Sequence, residues 1–404
     1  MYIPRIMESK LRYLAEHFPV VMVCGARQVG KTTLLNRLKE ENEKIQYVTL
    51  DYPRLRILAR EDPGLFLQQY QPPLIIDEIQ YAPELLSYIK IQVDQSHQNG
   101  SYYLTGSQMF HMMKNVSQSL AGRVGILSMY SLSRAEILGR ETVPFRPDRI
   151  GPAGAAETVT TLFERILRGG MPQLIADPGL LPEDYFGAYT QTYLERDIRD
   201  LIAVKDEGRF LRFLSCAAAR TGQEVNLADM AKDVEIDRKT AESWLSLLVS
   251  SGLVYLLQPY SRNTIKRIVK RPKLYFMDTG LACYLTYWNQ PRALELSAMA
   301  GAMFKSYVLS EIVKSYVGHG IDVRSRLCYY RDNNGKEIDL MILEDGKLYP
   351  VEIKKSADPG KAALKNFTVL DSLPEVVGEG AVICMTPMVI PLDEKDKLVP
   401  VACI

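Results

Sequence analysis

The stretch Gly25-Ala26-Arg27-Gln28-Val29-Gly30-Lys31-Thr32 decides how the first part of this 404-residue chain folds. Before it stands Val20-Val21-Met22-Val23-Cys24, an apolar, β-branched run that reads as a buried strand; after it, Thr33-Leu34-Leu35-Asn36-Arg37-Leu38 reads as a helix. Strand, glycine-rich turn and helix in this order make a phosphate-binding loop. The glycines let the backbone curl until successive N–H groups face one anion at a helix N-terminus. In such a loop Lys31 reaches the β- and γ-phosphates and the Thr32 hydroxyl ligates Mg²⁺. Thr33, on the first helical turn, completes the cradle. The expected ligand is a nucleoside triphosphate.

Downstream, Leu74-Ile75-Ile76-Asp77-Glu78 reads as another buried strand, ending in two carboxylates. Asp77 is suited to hold the Mg²⁺ shell. Glu78 is placed to polarise an attacking water, which hydrolysis needs and binding alone does not. Tyr102-Tyr103-Leu104-Thr105 is a third strand continuing into Gly106-Ser107. Parallel sheets present ligand groups at strand C-terminal ends, so Thr105 or Ser107 is suited to the γ-phosphate or the lytic water; a turn closed by Gly and Ser is the plain alternative. Arg123 precedes a fourth strand, residues 124–129. It is either a phosphate-contacting arginine, for its own subunit or a neighbour's, or a surface arginine at a strand start. Ser133 and Glu136 then form a capping box that opens a helix.

Residues 2–138 resemble the ATPase core of the AAA+ class, in the bacterial and archaeal branch where GxRQVGKTTL is followed by DEIQ and LTGS. Here these are the run from Gly25 to Leu34, the run from Asp77 to Gln80, and the run from Leu104 to Ser107. The resemblance implies Mg²⁺-dependent ATP hydrolysis, with Lys31, Thr32, Asp77 and Glu78 in the roles just argued. It says little about biological purpose.

At 404 residues, two to four domains are expected. A hydrophobic fraction of 47% with 24% charged residues is ordinary for a soluble protein. No apolar run reaches the ~18 residues of a membrane span, and Arg5, Glu8, Lys10 and Arg12 interrupt any N-terminal signal core. The six cysteines are scattered without a C-x-x-C pair, as in reduced cytoplasmic proteins. His17, His97, His111 and His319 form no ligand cluster. A net charge of +1 carries no global nucleic-acid footprint, so any such binding rests on a local patch. An oligomer is compatible with the sequence but not indicated by it.

Residues 141–158, rich in Pro, Gly and Ala, read as a linker or long loop. A helical region follows over residues 161–201, broken at Arg168-Gly169-Gly170-Met171-Pro172. Its second helix, residues 185–200, carries Arg196 and Arg199, which either reach the nucleotide from a lid or form a solvated face. Three helices and a strand over residues 209–260 read as a winged helix. Arg238, Lys239 and Thr240 open its third helix, where a recognition helix meets base edges. The basic run Arg262, Lys266, Arg267, Lys270 and Arg271 clamps a phosphate backbone or is a solvated hairpin. Such modules also dock proteins.

Near the end, residues 327–331, 337–343 and 348–354 read as an antiparallel meander with turns at Asp332-Asn333-Asn334-Gly335 and Glu344-Asp345-Gly346. Adjacent strands bring Asp339 beside Glu352, with Lys354 on the same face as Glu352. Two acids and an amine there suit a divalent metal and a water. Asp339 followed by Glu352-Ile353-Lys354 resembles the core motif of the PD-(D/E)xK nuclease superfamily, with Ile338 in the place of the proline. Glu311, on the preceding helix, matches the acidic residue many members carry. The resemblance implies a metal site of Glu311, Asp339 and Glu352 with Lys354 as catalytic amine; degenerate members bind nucleic acid without cutting it, or bind nothing.

The fold class expected is therefore α/β: an AAA+-like P-loop core (residues 1–145), a helical lid (159–205), a winged helix (206–262) and a restriction-endonuclease-like domain (263–404). The function expected is cytoplasmic, Mg²⁺-dependent ATP hydrolysis coupled to DNA binding or cleavage. The alternative is a nucleotide-dependent signalling switch whose winged helix docks proteins and whose C-terminal domain is inert.

Overall fold

The computed structural model describes residues 2–106, 119–151, 157–194, 207–261, 271–332 and 334–404. Five strands, β1 (Val20–Gly25), β2 (Gln46–Thr49), β3 (Leu74–Asp77), β4 (Tyr102–Gly106) and β5 (Val124–Met129), form an all-parallel sheet in the order β2-β3-β4-β1-β5. Every residue of β1, β3 and β4 is buried, which accounts for their continuous apolar runs. Because β4 lies between β1 and β3, the phosphate loop, Thr105 and Asp77 all open onto the same sheet edge. The capping box forms as its spacing predicts: the Ser133 hydroxyl accepts from Glu136 N and the Glu136 carboxylate accepts from Ser133 N.

Residues 141–151 are not a free linker. Phe145 is buried, and Arg146 is ion-paired with Asp148 and Asp345. Proline and glycine there set the backbone path, while the side chains still pack. The segment 152–156 lies outside the described residues.

The helical region comprises Val159–Arg168, Pro172–Ala176 and Pro182–Tyr189, continued by a π-helical turn at Thr190–Leu194. Arg196 and Arg199 lie outside the described residues. Helices Glu207–Ala219, Leu227–Asp233 and Arg238–Ser250 follow. Ala241, Trp244, Leu245 and Leu248 form the buried stripe of the third. Trp244 meets Phe210 and Phe213 edge-on, with centroids 5.2 and 5.5 Å apart. Truncating such a buried tryptophan costs about 3–5 kcal/mol, so this contact anchors the helix. Strand β6 (Val254–Leu257) then pairs antiparallel with β7 (Lys273–Phe276), so the hairpin straddles the boundary expected at residue 262. The helices Thr279–Leu285 and Pro291–Leu296 pack back on Val159–Arg168.

The C-terminal sheet holds β8 (Leu327–Arg331), β9 (Glu337–Glu344), β10 (Lys347–Ile353), β11 (Val376–Val377), β12 (Gly380–Cys384), β13 (Ile390–Pro391) and β14 (Asp396–Pro400). The antiparallel meander β8-β9-β10 continues into parallel pairings of β10 with β12 and β12 with β14. Helix Ala300–Gly318 packs against both β5 and β7, and 15 of its 19 residues are buried. One hydrophobic core runs from β1 and β5 through the helical region to β9 and β10. Smaller clusters fill the outer face of each large sheet.

Candidate active site

Gly25 ends β1 with φ +148°, and a Cβ there would fall 2.0 Å from the Met129 carbonyl oxygen, so only glycine lets the loop leave the sheet. Ala26 and Val29 are buried beneath the loop; Arg27 is half-buried, with its charge felt by Lys31 and Glu78. Gln28 is exposed with φ +58°, and its side-chain oxygen accepts from the Tyr185 hydroxyl at 2.6 Å, joining the helical region to the loop. Gly30, at φ +100°, opens the helix Lys31–Glu41. Lys31 is 5% exposed, and its ammonium donates to the Gly25 and Ala26 carbonyls at 3.0 and 2.8 Å. Burial pulls its pKa down, opposed by Glu78 and Asp77. A phosphate anion beside it restores the charged form. Thr33 lies exposed on the first turn.

Asp77 is the hub of the opposite wall. Its carboxylate accepts from the Thr32 hydroxyl at 3.0 and 3.1 Å, from the Tyr47 hydroxyl at 2.9 Å, and from the Thr105 hydroxyl. Thr105 in turn accepts from Glu78 N at 3.0 Å, which fixes the backbone from which the Glu78 carboxylate projects. Glu78 adopts a left-handed conformation (φ +60°), a strained state for a side-chain-bearing residue that occurs at functional turns. Burial raises its pKa, Lys31 opposing, and the Gln80 amide donates to it. A buried carboxylate with a raised pKa is suited to take a proton from water. Ser107 lies outside the described residues.

Of the two readings of Arg123, the structure fits the surface arginine at a strand start for its own subunit. It sits at the N-terminal end of β5, on the sheet edge opposite the phosphate loop, and its guanidinium is ion-paired with Asp94. Strand direction, which the sequence around Arg123 does not encode, decides this.

In the C-terminal sheet Asp339 and Glu352 do come together, both buried, at 2% and 4% exposure. Ile353 N donates to Asp339 Oδ2 at 3.0 Å, and Asp339 N donates to Glu352 Oε2 at 3.4 Å. Lys354 donates to Glu352 Oε1 at 2.6 Å. Burial, then the neighbouring Asp339, pushes the Glu352 carboxyl up. Burial alone would weaken the Lys354 ammonium, but its hydrogen bond to Glu352 holds it above its usual value. Sequence reasoning misses a fourth member: Lys305, from helix Ala300–Gly318, is ion-paired with Asp339. Nothing local marks it, because 34 residues separate the partners.

Glu311 is not in this group. Its carboxylate accepts from Arg134 N at 2.6 Å and from Lys314 at 3.1 Å, so it satisfies the first N–H of the short helix Arg134–Ile137, beside the capping box. The two helix positions lie on one element but serve different neighbours, Lys305 the meander and Glu311 the P-loop sheet. Among the described residues no group of three or more His, Cys, Asp and Glu side chains converges to hold a metal. Two carboxylates already matched by two ammonium groups fit a divalent ion poorly.

Arg238 and Lys239 are exposed at the start of their helix, which Asp237 caps through Thr240 N at 3.0 Å. Arg271 is exposed as well; residues 262–270 lie outside the described residues. Among the described residues no helix is long and apolar enough to cross a membrane.

Residues 17–138 match the family described as an AAA domain, and residues 159–292 and 300–404 match two families described as domains of unknown function, DUF8612 and DUF4143. Uncharacterized proteins of Mycobacterium tuberculosis and Mycobacterium bovis are each 27% identical over 364 residues, covering 90% of this chain and 76% of theirs. Among solved structures, the Walker-type ATPase PABY2304 of Pyrococcus abyssi aligns with 14% identity and a TM-score of 0.45, covering 69% of this chain and 94% of that one. AMPPCP-bound DnaA of Aquifex aeolicus aligns with 12% identity and a TM-score of 0.30, covering 60% and 84%. With the loop geometry, the match of residues 17–138 to the AAA-domain family supports the binding and hydrolysis of ATP there.

Proposed function

We propose that the chain hydrolyses Mg²⁺-ATP and couples that cycle to binding DNA. The observation that carries the first half is the cluster Thr32–Asp77–Thr105–Glu78, hydrogen-bonded beside the phosphate loop. The Thr32 hydroxyl and the Asp77 carboxylate, 3.0 Å apart, are the oxygen donors a hydrated Mg²⁺ takes, and that ion would neutralise charge on the phosphates. Lys31 and the loop amides hold the phosphates. Glu78 accepts the proton of the attacking water, while Thr105 keeps its backbone in place. Arg123 remains available only to a neighbouring subunit's nucleotide.

The DNA half rests on Arg238 and Lys239, exposed at a helix start, with Arg271 at the foot of the β6–β7 hairpin. Such residues serve as phosphate and base contacts of a winged helix. The lysine-matched pair Asp339–Glu352 favours a nuclease-like domain that holds nucleic acid over one that cuts it. Duplex binding measured against salt tests this. Each phosphate contact contributes a log–log slope of about −0.9, so neutralising Arg238, Lys239 and Arg271 together should flatten the slope by about 2–3. Unchanged affinity and slope would favour the signalling switch with a protein-docking winged helix. Mg²⁺-dependent nicking of plasmid would restore the cleavage reading.

A further inference from the structure

The N-terminal segment ahead of the helix Glu8–His17 contains a buried arginine that the ATPase chemistry above does not use. Arg5 is 8% exposed and spends its guanidinium on three separate acceptors: Nε donates to Glu136 Oε1 at 2.9 Å, Nη1 to the Val29 carbonyl at 2.9 Å, and Nη2 to the Tyr130 carbonyl at 2.8 Å. Val29 is in the phosphate loop, Tyr130 is the residue after β5, and Glu136 is the capping-box acid, itself 7% exposed. The second oxygen of Glu136 accepts from Ser133 N at 2.8 Å, and Ile6 N joins the first at 3.0 Å. The guanidinium is thus held by the frame of the sheet and grips the loop from behind.

The geometry points to Arg5 as a positioning residue for the phosphate cradle. The peptide between Val29 and Gly30 is planar and trans, so its carbonyl and its N–H point in opposite directions. Arg5 holds the carbonyl outward, which aims the Gly30 N–H to the inner side of the loop, where the phosphate-binding amides converge. Gly30 has no side chain to fix its own orientation, and its φ of +100° is one a glycine leaves readily. A planar fork with three fixed donors suits this task, whereas an ammonium on a flexible stem does not. Arg5 touches neither nucleotide nor metal; it acts through the backbone of the loop. This inference rests on the nucleotide reading of residues 25–32.

The test compares the full-length wild type with Arg5→Lys and Glu8→Ala, measuring ADP and inorganic pyrophosphate affinity by calorimetry and the melting temperature without ligand. Glu8 anchors the same segment through Arg5 N at 2.9 Å and the Tyr2 hydroxyl at 2.7 Å, without touching the guanidinium. Glu8→Ala should lower the melting temperature and leave both affinities within about twofold. Arg5→Lys should weaken ADP and pyrophosphate alike by about 10-fold or more, the worth of a charged hydrogen bond. Pyrophosphate isolates the loop from any contact with base or ribose. Should Arg5→Lys not fold, Arg5→Met with Glu136→Leu removes both buried charges together and carries the same expectation. Wild-type affinities in the folded Arg5 variant, or equal losses in Glu8→Ala, would overturn the assignment. Failure of the wild type itself to bind either ligand would instead overturn the nucleotide reading.

Discussion

Asp77 and Asp339 are both buried aspartates on strands, each with a second carboxylate near, yet their partners differ in kind. Asp77 accepts hydrogen bonds from hydroxyls, those of Thr32, Thr105 and Tyr47. Hydroxyls orient a carboxylate without cancelling its charge, and the nearby Lys31 ammonium is hydrogen-bonded to loop carbonyls instead. Asp339 and Glu352 are each met by an ammonium, Lys305 and Lys354. There the charge is already balanced inside the protein. On the proposed reading, similar acids do different work: one pair takes up Mg²⁺ beside the phosphates, and the other is closed by its own lysines.

The largest effect that would sharpen this contrast lies at the ATPase site. Glu78→Gln should retain ATP binding and lose turnover by about 10²- to 10⁴-fold, read in single-turnover hydrolysis, whereas Lys31→Ala should abolish binding. Full turnover by Glu78→Gln would remove the chemical distinction between the two acid pairs. Because burial raises the Glu78 pKa, wild-type turnover should also fall on the acid side at a pH above the ordinary carboxylate range.

Next in size is the C-terminal ion pair. Lys305→Met leaves Asp339 buried without its cation and should cost about 1–3 kcal/mol, the lysine being partly exposed. Denaturant unfolding measures the loss, and adding Asp339→Asn should recover much of it. The same variants probe the metal question. Any gain in melting temperature from Mn²⁺ without nucleotide should persist in Asp339→Ala; a gain that Asp339→Ala abolishes would break the contrast outright.

The smallest effect is a pH slope. Glu352 holds its proton more tightly in the fold than in the unfolded chain, because burial and then Asp339 raise its pKa. Between the ordinary carboxylate value and that raised value the native state binds more protons. This group's contribution is therefore present at low pH and lost as pH rises through its folded-state value. Glu352→Gln should flatten that part of the stability profile, and an unaltered profile would place the carboxylate in solvent.

What the sequence discloses and what it hides follow from the range of the interactions. The phosphate loop is legible because its glycines stand between an apolar run and a helix, all contiguous in the chain from Val20 to Leu38. The capping box at Ser133 and Glu136 and the stripe of Ala241, Trp244, Leu245 and Leu248 are local in the same sense. The pairing of Asp339 with Glu352 is legible because a short turn sets their register. The choice between the two readings of Arg123 turns on a strand's direction in the sheet, which is a property of the whole topology. Glu311 is misplaced because its helix is buried nearly all round, so no polar face tells which neighbour each residue meets. Arg5 and Lys305 find partners far along the chain, and no spacing rule reaches them.

That helix, Ala300–Gly318, also bears on how the chain comes apart. It holds the start of the helix Arg134–Ile137 through Glu311, hands Lys305 to the meander, and lies in the hydrophobic core that runs between the two large sheets. A fragment cut near residue 145 would present the face of β5 to water and cost the Arg134 N–H its Glu311 acceptor; one begun near residue 263 would part β7 from β6. Calorimetry of the intact chain should accordingly record one dominant cooperative transition in place of separate melting steps. Nucleotide bound at the loop should shift that whole transition, the C-terminal sheet included.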